Sequence, residues 1–294
     1  MKINQLTLIM GSNNKWMKSL LGLLVLISFA TTTSAQHYYN DILVTDLNKK
    51  KQQLYRQAKV RAVKTTAFDA DGKPIEGFSS DQTVSADFNE IRTTTMTMLT
   101  GTSASFSYFN NQGQLIKSID TADGLNNTIT YTYDASGKIS NILSVSLSPG
   151  DFKIKEEHIW FYDKTSGCAT RMLKIKNDKD TSFISFTKDE KGNIAIEKIV
   201  ELGKESRIYY YYYDDKGRLT DIVRFNERVK RMLPDYVFEY DEDGRLATMT
   251  VVPEGTGDYQ KWYYSYFDDG LKGQDACYSK SKVLIARVEY AYQY

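Results

Sequence analysis

The chain predicts an all-β fold: an antiparallel β-meander of tandem hairpins, about 16 strands in a single twisted or curled sheet, with one short helix ahead of it. Three observations predict this. Runs of aromatic and β-branched residues end repeatedly in a short polar turn closed by glycine, most clearly in YYYYYDDKGRLTDIV over Tyr209–Val223. The turn glycines recur at a nearly constant interval. The 22 tyrosines exceed what a core needs and suit sheet faces in contact with water, because tyrosine has an apolar body and a polar tip.

In Tyr209–Val223 the strand ends at Tyr213-Asp214 and a new one begins at Arg218-Leu219. Asp at the first turn position and Gly where φ must be positive fit a type I turn with a G1 bulge. Turn glycines are expected at Gly72, Gly113, Gly137, Gly167, Gly192, Gly217, Gly244 and Gly270, spaced by 41, 24, 30, 25, 25, 27 and 26 residues. A period near 26 is that of a repeat architecture. The 41-residue gap is expected to hold one degenerate hairpin around Thr83 to Leu99. Ile139, Leu143, Val145 and Leu147 alternate with serines, whereas Ile194 and Ile196 share a face with Lys198, which predicts a thin core held by cross-strand pairs.

Residues 1–35 read as a secretory signal peptide. Lys15 and Lys18 precede the apolar run Leu20–Ala30, and Thr33-Ser34-Ala35 follow it. Met17 is the expected true start. The apolar run is too short to span a bilayer, so no transmembrane helix is expected in the mature chain. Residues 36–60 form an N-terminal helical segment, with a helix expected over Asp46–Lys59. Leu43, Leu47, Leu54 and Ala58 fall on one face, Thr45 or Asp46 caps it, and its role is to cover the first edge strand. Residues 61–294 make up the hairpin repeat domain. Net charge is +1, and removal of residues 1–35 leaves −2, so nothing points to nucleic acid.

Tyr133-Asp-Ala-Ser-Gly-Lys-Ile139, Tyr213-Asp-Asp-Lys-Gly-Arg-Leu219 and Tyr240-Asp-Glu-Asp-Gly-Arg-Leu246 resemble the YD repeats of the Rhs-type family. The last two match the Tyr-Asp-x-x-Gly-Arg-Leu pattern throughout, and looser copies run from about Phe68 to Phe267. The segment ending Ser-Ala-Gln is similar to the signals of exported Bacteroidetes-type proteins. The resemblance implies an exported, exposed β protein with carbohydrate or cell contact as its business. It does not extend to toxin delivery, since so few units enclose no cargo and no toxin-like tail follows. In the motif, Asp134, Gly137, Asp214, Gly217, Asp241 and Gly244 are structural turn residues.

The remaining residues argue against a catalytic or cofactor site. His37 and His158 lack the company a triad or a zinc centre needs. The acidic turns lack the spacing of a calcium loop, and no pair among the carboxylates is singled out for glycoside hydrolysis. Cys168 and Cys277 lie about four units apart, too far to bond unless the sheet curls strongly. The expectation is therefore no catalytic residue, no metal and no cofactor. The aromatic surface is the exception: Tyr210, Tyr212, Trp262 and Tyr264 are candidates for a ledge that stacks a glycan or a cell-envelope protein, against the plainer reading of a cross-strand ladder. The function predicted is a non-enzymatic exported protein, periplasmic, cell-surface or extracellular, with a binding or structural role. The first alternative is an outer-membrane β-barrel, suggested by the alternation Leu284, Ala286, Val288, Tyr290, Tyr292 and Tyr294 in the last strand. The second is a polysaccharide-acting enzyme.

Overall fold

The structure is a computed structural model that describes residues 37–294 except 99, 123, 151, 228 and 254–256. The predicted signal peptide lies outside the described residues.

A helix, α1 (Asn40–Ala58), is followed only by strands. They are β1 (Ala62–Phe68), β2 (Ser79–Val84), β3 (Glu90–Thr97), β4 (Gly101–Phe109), β5 (Leu115–Ala122) and β6 (Leu125–Tyr133). Next come β7 (Ile139–Ser148), β8 (Phe152–Tyr162), β9 (Ala169–Lys176), β10 (Asp180–Lys188), β11 (Ile194–Glu201) and β12 (Lys204–Tyr213). The chain finishes with β13 (Leu219–Asn226), β14 (Arg231–Tyr240), β15 (Leu246–Val251), β16 (Gln260–Tyr266), β17 (Lys272–Ser279) and β18 (Leu284–Gln293). Each strand pairs antiparallel with the next, and β18 pairs with β1 from Ala62↔Gln293 to Phe68↔Arg287.

That last ladder corrects the predicted open or curled sheet of about 16 strands: the 18 strands close into a barrel with no free edge. Closure satisfies the backbone donors and acceptors that an open meander would leave exposed on its first and last strands. The helix therefore has no edge to cover. It is also longer than predicted, starting at Asn40, and it lies across the bore near one end, where Gln52 and Arg56 donate to Phe88 O and Asp87 O between β2 and β3. Ile42 and Leu43 pack with Ile142, Trp160 and Tyr211, whereas Leu54, Tyr55 and Ala58 pack with Val63, Ile91, Phe109 and Leu271. Only the lumen reaches strands on all these sides. Leu47, expected on the packed face, is 64% exposed. Lys59, at φ 59°, ends the helix, and Val60 N–H donates to Tyr55 O at 2.9 Å. Barrels of this strand number have room for an aqueous channel. Here a helix about 28 Å long, at 1.5 Å per residue, occupies the bore.

The repeat turns lie along one rim, with one substitution of position. Gly72 belongs to the β1–β2 connection on the opposite rim, and the degenerate hairpin is β2–β3. Its turn puts Phe88 at φ 62° where the other copies have glycine, and Phe88 N–H donates to Ser85 O at 3.0 Å as the turn glycines from Gly113 to Gly244 do to their Asp or Asn and Gly270 does to Phe267. Counted from Phe88, the first spacing becomes 25 residues.

The structure assigns a task to each motif residue. The Asp214 carboxylate accepts from Lys216 N–H and Arg218 N–H at 3.0 and 2.9 Å, and Asp134 accepts from Ser136 and Lys138 N–H at 2.8 and 3.0 Å. Asp241 accepts from Arg245 N–H at 2.8 Å. Gly137, Gly217 and Gly244 all have φ between 75° and 81°. The motif tyrosine points inward and donates its hydroxyl across to the unit before it. Tyr213 donates to Ile194 O at 2.9 Å, Tyr240 to Leu219 O at 2.7 Å and Tyr266 to Leu246 O at 2.9 Å. Arg218 and Arg245 then lie 4.6 and 5.0 Å above the rings of Tyr240 and Tyr266. The units at Tyr240 and Tyr266 are thus latched to the neighbour before them by a hydrogen bond and a cation–π contact, and the unit at Tyr213 by the hydrogen bond.

Bulges beside these turns change the faces read from the sequence. The shift at Thr132/Tyr133 places Ile139 inside with Ile142, and Leu143, Val145 and Leu147 then face out while Ser144 and Ser146 face in. The shift at Thr187/Lys188 places Ile194 inside with Glu197, and Ile196 and Lys198 outside. In β18 the alternating apolar face looks inward: Tyr290 donates to Asp275, Tyr292 meets the ring of Tyr55, and Arg287 and Glu289 are outside.

Candidate functional site

Two places concentrate chemistry: the polar socket that receives the first turn of α1, and a groove on the outer wall.

The socket is built by inward positions of β8, β9, β11 and β12. Glu197 is wholly buried, and its carboxylate accepts from Tyr38 N–H at 2.8 Å, Tyr39 N–H at 2.9 Å and Tyr211 hydroxyl at 2.7 Å. It caps α1 in place of the predicted Thr45 or Asp46, satisfying two free amides and complementing the positive end of the helix dipole. Thr45 lies within the helix and donates to Asp41 O. Burial pushes the Glu197 carboxyl up, the donors of Tyr38, Tyr211 and Tyr39 oppose it, and it settles at about 7.

Asp41, in the first turn of α1, forms the other half of the socket. Its Oδ2 lies 2.7 Å from His158 Nδ1 and accepts from Trp160 Nε1 at 3.3 Å. His158 Nε2 is 3.0 Å from Glu156, which meets Lys174 Nζ at 3.3 Å, and Lys174 donates to the Tyr38 hydroxyl at 3.0 Å. Burial pulls the His158 ring down, but the carboxylates of Asp41 and Glu156 outweigh it and hold the ring at about 9. Burial raises Glu156, and His158 and Lys174 overcome this to bring it to about 2. His37 sits among the rings of Tyr209, Tyr211 and Tyr236, and its burial lowers it to about 4 against the pull of Asp41.

The carboxylates of Glu197, Asp41 and Glu156, the His158 ring and the Lys174 ammonium are all spent on the helix segment or on a socket partner, while the buried His37 Nδ1 and Tyr209 hydroxyl have none, so the chemistry of the socket is that of a lock. Sequence reasoning read His158 as incidental and missed Asp41, Glu156, Lys174 and Glu197. The available signal was a charged residue at inward positions of otherwise apolar strands, which a bulge on β11 hides for Glu197. Among the described residues no group of His, Cys, Asp and Glu is arranged to hold a metal ion. Cys168, in the turn after β8, and the buried Cys277 of β17 are both free thiols.

The four ledge candidates are divided by the wall. Trp262 is 2% exposed and Tyr264 packs inside beside Lys272, whose Nζ is 4.7 Å from its ring. Tyr210 and Tyr212 face out on β12, the second 51% exposed, while Tyr209, Tyr211 and Tyr213 alternate inward. The outer pair line a groove of about 470 Å³ between the β10–β11 and β12–β13 turns, with Ala195 and Ile196 beside them and Asp189, Glu190, Lys191 and Asp214 on its rim. Asp214 is tied to Arg218 at 2.6 Å, and Asp189 accepts from Asn193 N–H at 2.8 Å. Among the described residues the side chains of Glu190 and Lys191 and the hydroxyls of Tyr210 and Tyr212 have no protein partner.

No protein-family model matches the chain, and no curated protein matches it in sequence. Solved structures that share features of its backbone include the Tc holotoxin pore of Photorhabdus luminescens, 13% identical with a TM-score of 0.33. That match covers 74% of this chain and only 12% of the toxin chain. Two others are porin-like proteins, from Bacteroides uniformis (8% identical, TM-score 0.38) and Bacteroides vulgatus (13%, 0.30). Each of these two matches covers 80% of this chain and 98% of the other. The TM-scores are too low for any of the three to bear on function.

Proposed function

We propose that this chain is an exported, non-enzymatic β-barrel of the bacterial cell envelope, a short closed relative of the YD-repeat proteins that stands in water and binds a partner on its outer wall. The observation that carries this reading is the outer face. Lys64, Asp81, Arg92, Lys117, Lys198 and Glu239 are all exposed strand residues, on six different strands around the wall. A lipid-facing Lys or Arg at mid-membrane would cost roughly 2–4 kcal/mol each. The bore is locked by the chain's own helix, which supports a body with a binding exterior over a conduit.

A second reading is favoured by the closure itself. An even-numbered antiparallel barrel without an edge, its last strand ending in aromatics, has the form that an outer-membrane barrel requires. Fractionation separates the two. Release by osmotic shock or into the medium without detergent is the expected result, and retention in carbonate-washed outer membranes until detergent is added would overturn the first reading in favour of the second. No helix of the described residues is long and apolar enough to cross a membrane, which leaves strands as the only described elements able to do so.

A further inference from the structure

Resting on that reading, we propose that the outer groove over Tyr210 and Tyr212 is a saccharide site that takes an uncharged glycan. Its ring faces would lie on the two tyrosines, with its hydroxyls bonded by Glu190, Lys191 and the tyrosine hydroxyls.

The tyrosines themselves carry the first argument. The motif tyrosines point inward and spend their hydroxyls on backbone carbonyls, as Tyr213, Tyr240 and Tyr266 do. Tyr211 spends its own on Glu197. Tyr210 and Tyr212 take no part in these latches, so the fold makes no demand on their hydroxyls. Two such rings on successive outward positions of one strand lie roughly 7 Å apart.

The shape and the rim supply the rest. A cleft of about 470 Å³ falls in the range of small-ligand sites. It lies between two projecting turns, whereas a stable protein interface covers about 800 Å² on each partner. A sugar ring has an apolar face of C–H groups and an edge of hydroxyls that donate and accept. The groove offers matching surfaces: aromatic faces on its floor, one unpaired carboxylate and one unpaired ammonium on its rim. Asp189 and Asp214 are spent on their own turns, and they leave the rim net acidic, which repels anionic polymers.

The test is affinity electrophoresis of the full mature chain in native gels containing dextran, mannan, laminarin, xylan or the anionic hyaluronan. At least one of the four neutral polysaccharides is expected to retard the protein. Tyr212→Ala and Tyr210→Ala should each weaken that retardation about tenfold, equivalent to about 1.4 kcal/mol. Tyr263→Ala, an exposed tyrosine on the distant β16, should leave it unchanged. Circular dichroism checks that each variant keeps its sheet. Retardation by none of the neutral polysaccharides, by hyaluronan alone, or equally in the Tyr212→Ala variant would overturn the proposal. So would loss of a co-purifying envelope protein on Tyr212→Ala without any glycan binding, which would make the groove a protein interface. A chain released by osmotic shock that binds no glycan removes the site and leaves the export reading intact, and detergent-dependent release removes that reading instead.

Discussion

Uncoupling His158 from Asp41 should alter how the barrel's stability depends on pH. The ring is held at about 9, against an ordinary value near 6.5 in the unfolded chain. A histidine raised in the folded state contributes stability that is complete below pH 6.5 and is lost as pH climbs through 9. At 1.36 kcal/mol per pH unit the full contribution is about 3 kcal/mol. Two other groups share the window. Glu197, raised to about 7, also costs stability as pH rises from its unfolded value to 7. Lys51 is lowered by burial and by Lys272 to about 8, so it returns stability above pH 8. The cleaner interval is therefore pH 7 to 8, above most of the Glu197 titration and below that of Lys51, over which His158 accounts for about 1 kcal/mol. Urea unfolding followed by circular dichroism should show the wild type losing stability across this interval. His158→Gln should be weaker at pH 6 and should converge on the wild type toward pH 9, because the substitution removes the titrating group and keeps a hydrogen-bonding side chain. Parallel pH profiles for the two proteins would refute the assignment of this slope to the His158–Asp41 contact.

Glu197→Ala should cost roughly 3 kcal/mol or more, because two N–H groups and the Tyr211 hydroxyl lose their shared buried acceptor. Amide exchange should then show the first turn of α1 losing protection before the strands do. Gly217→Ala should cost only about 1 kcal/mol of left-handed backbone strain, since no other atom lies near its added methyl. Gly113→Ala should cost more and loosen the helix, because the methyl would meet Gln52 Oε1 at 2.7 Å, and Gln52 is the residue that donates to Phe88 O. Thermal melts of this pair separate backbone strain from collision. Tyr240→Phe should lose about 1 kcal/mol with its bond to Leu219 O, whereas Tyr212→Phe should stay within about 0.5 kcal/mol.

The sequence determined the repeat unit. Asp214, Gly217 and Tyr213 act within one hairpin or between neighbours, and such short-range chemistry is written in the order of residues. The same holds for the β2–β3 hairpin, which the spacing located although Phe88 replaces its glycine. The sequence also required one buried face on β18, visible as the alternation from Leu284 to Tyr294. It did not say what that face meets, because alternation records that a side is buried and carries no label for inside or outside.

Tertiary structure decided the remainder. Nothing in Ala62–Phe68 or Leu284–Gln293 marks them as partners, and the ladder between them turns an open meander into a closed wall. Bulges beside the turns moved Ile139 and Glu197 across the wall, an effect of a single extra residue that no periodicity registers. Closure placed α1 in the bore, and only there does Asp41 find His158, more than a hundred residues away in sequence. The outer wall followed from the same event. Once Tyr209, Tyr211 and Tyr213 are committed to the interior, Tyr210 and Tyr212 are left facing water over a groove that two neighbouring turns complete.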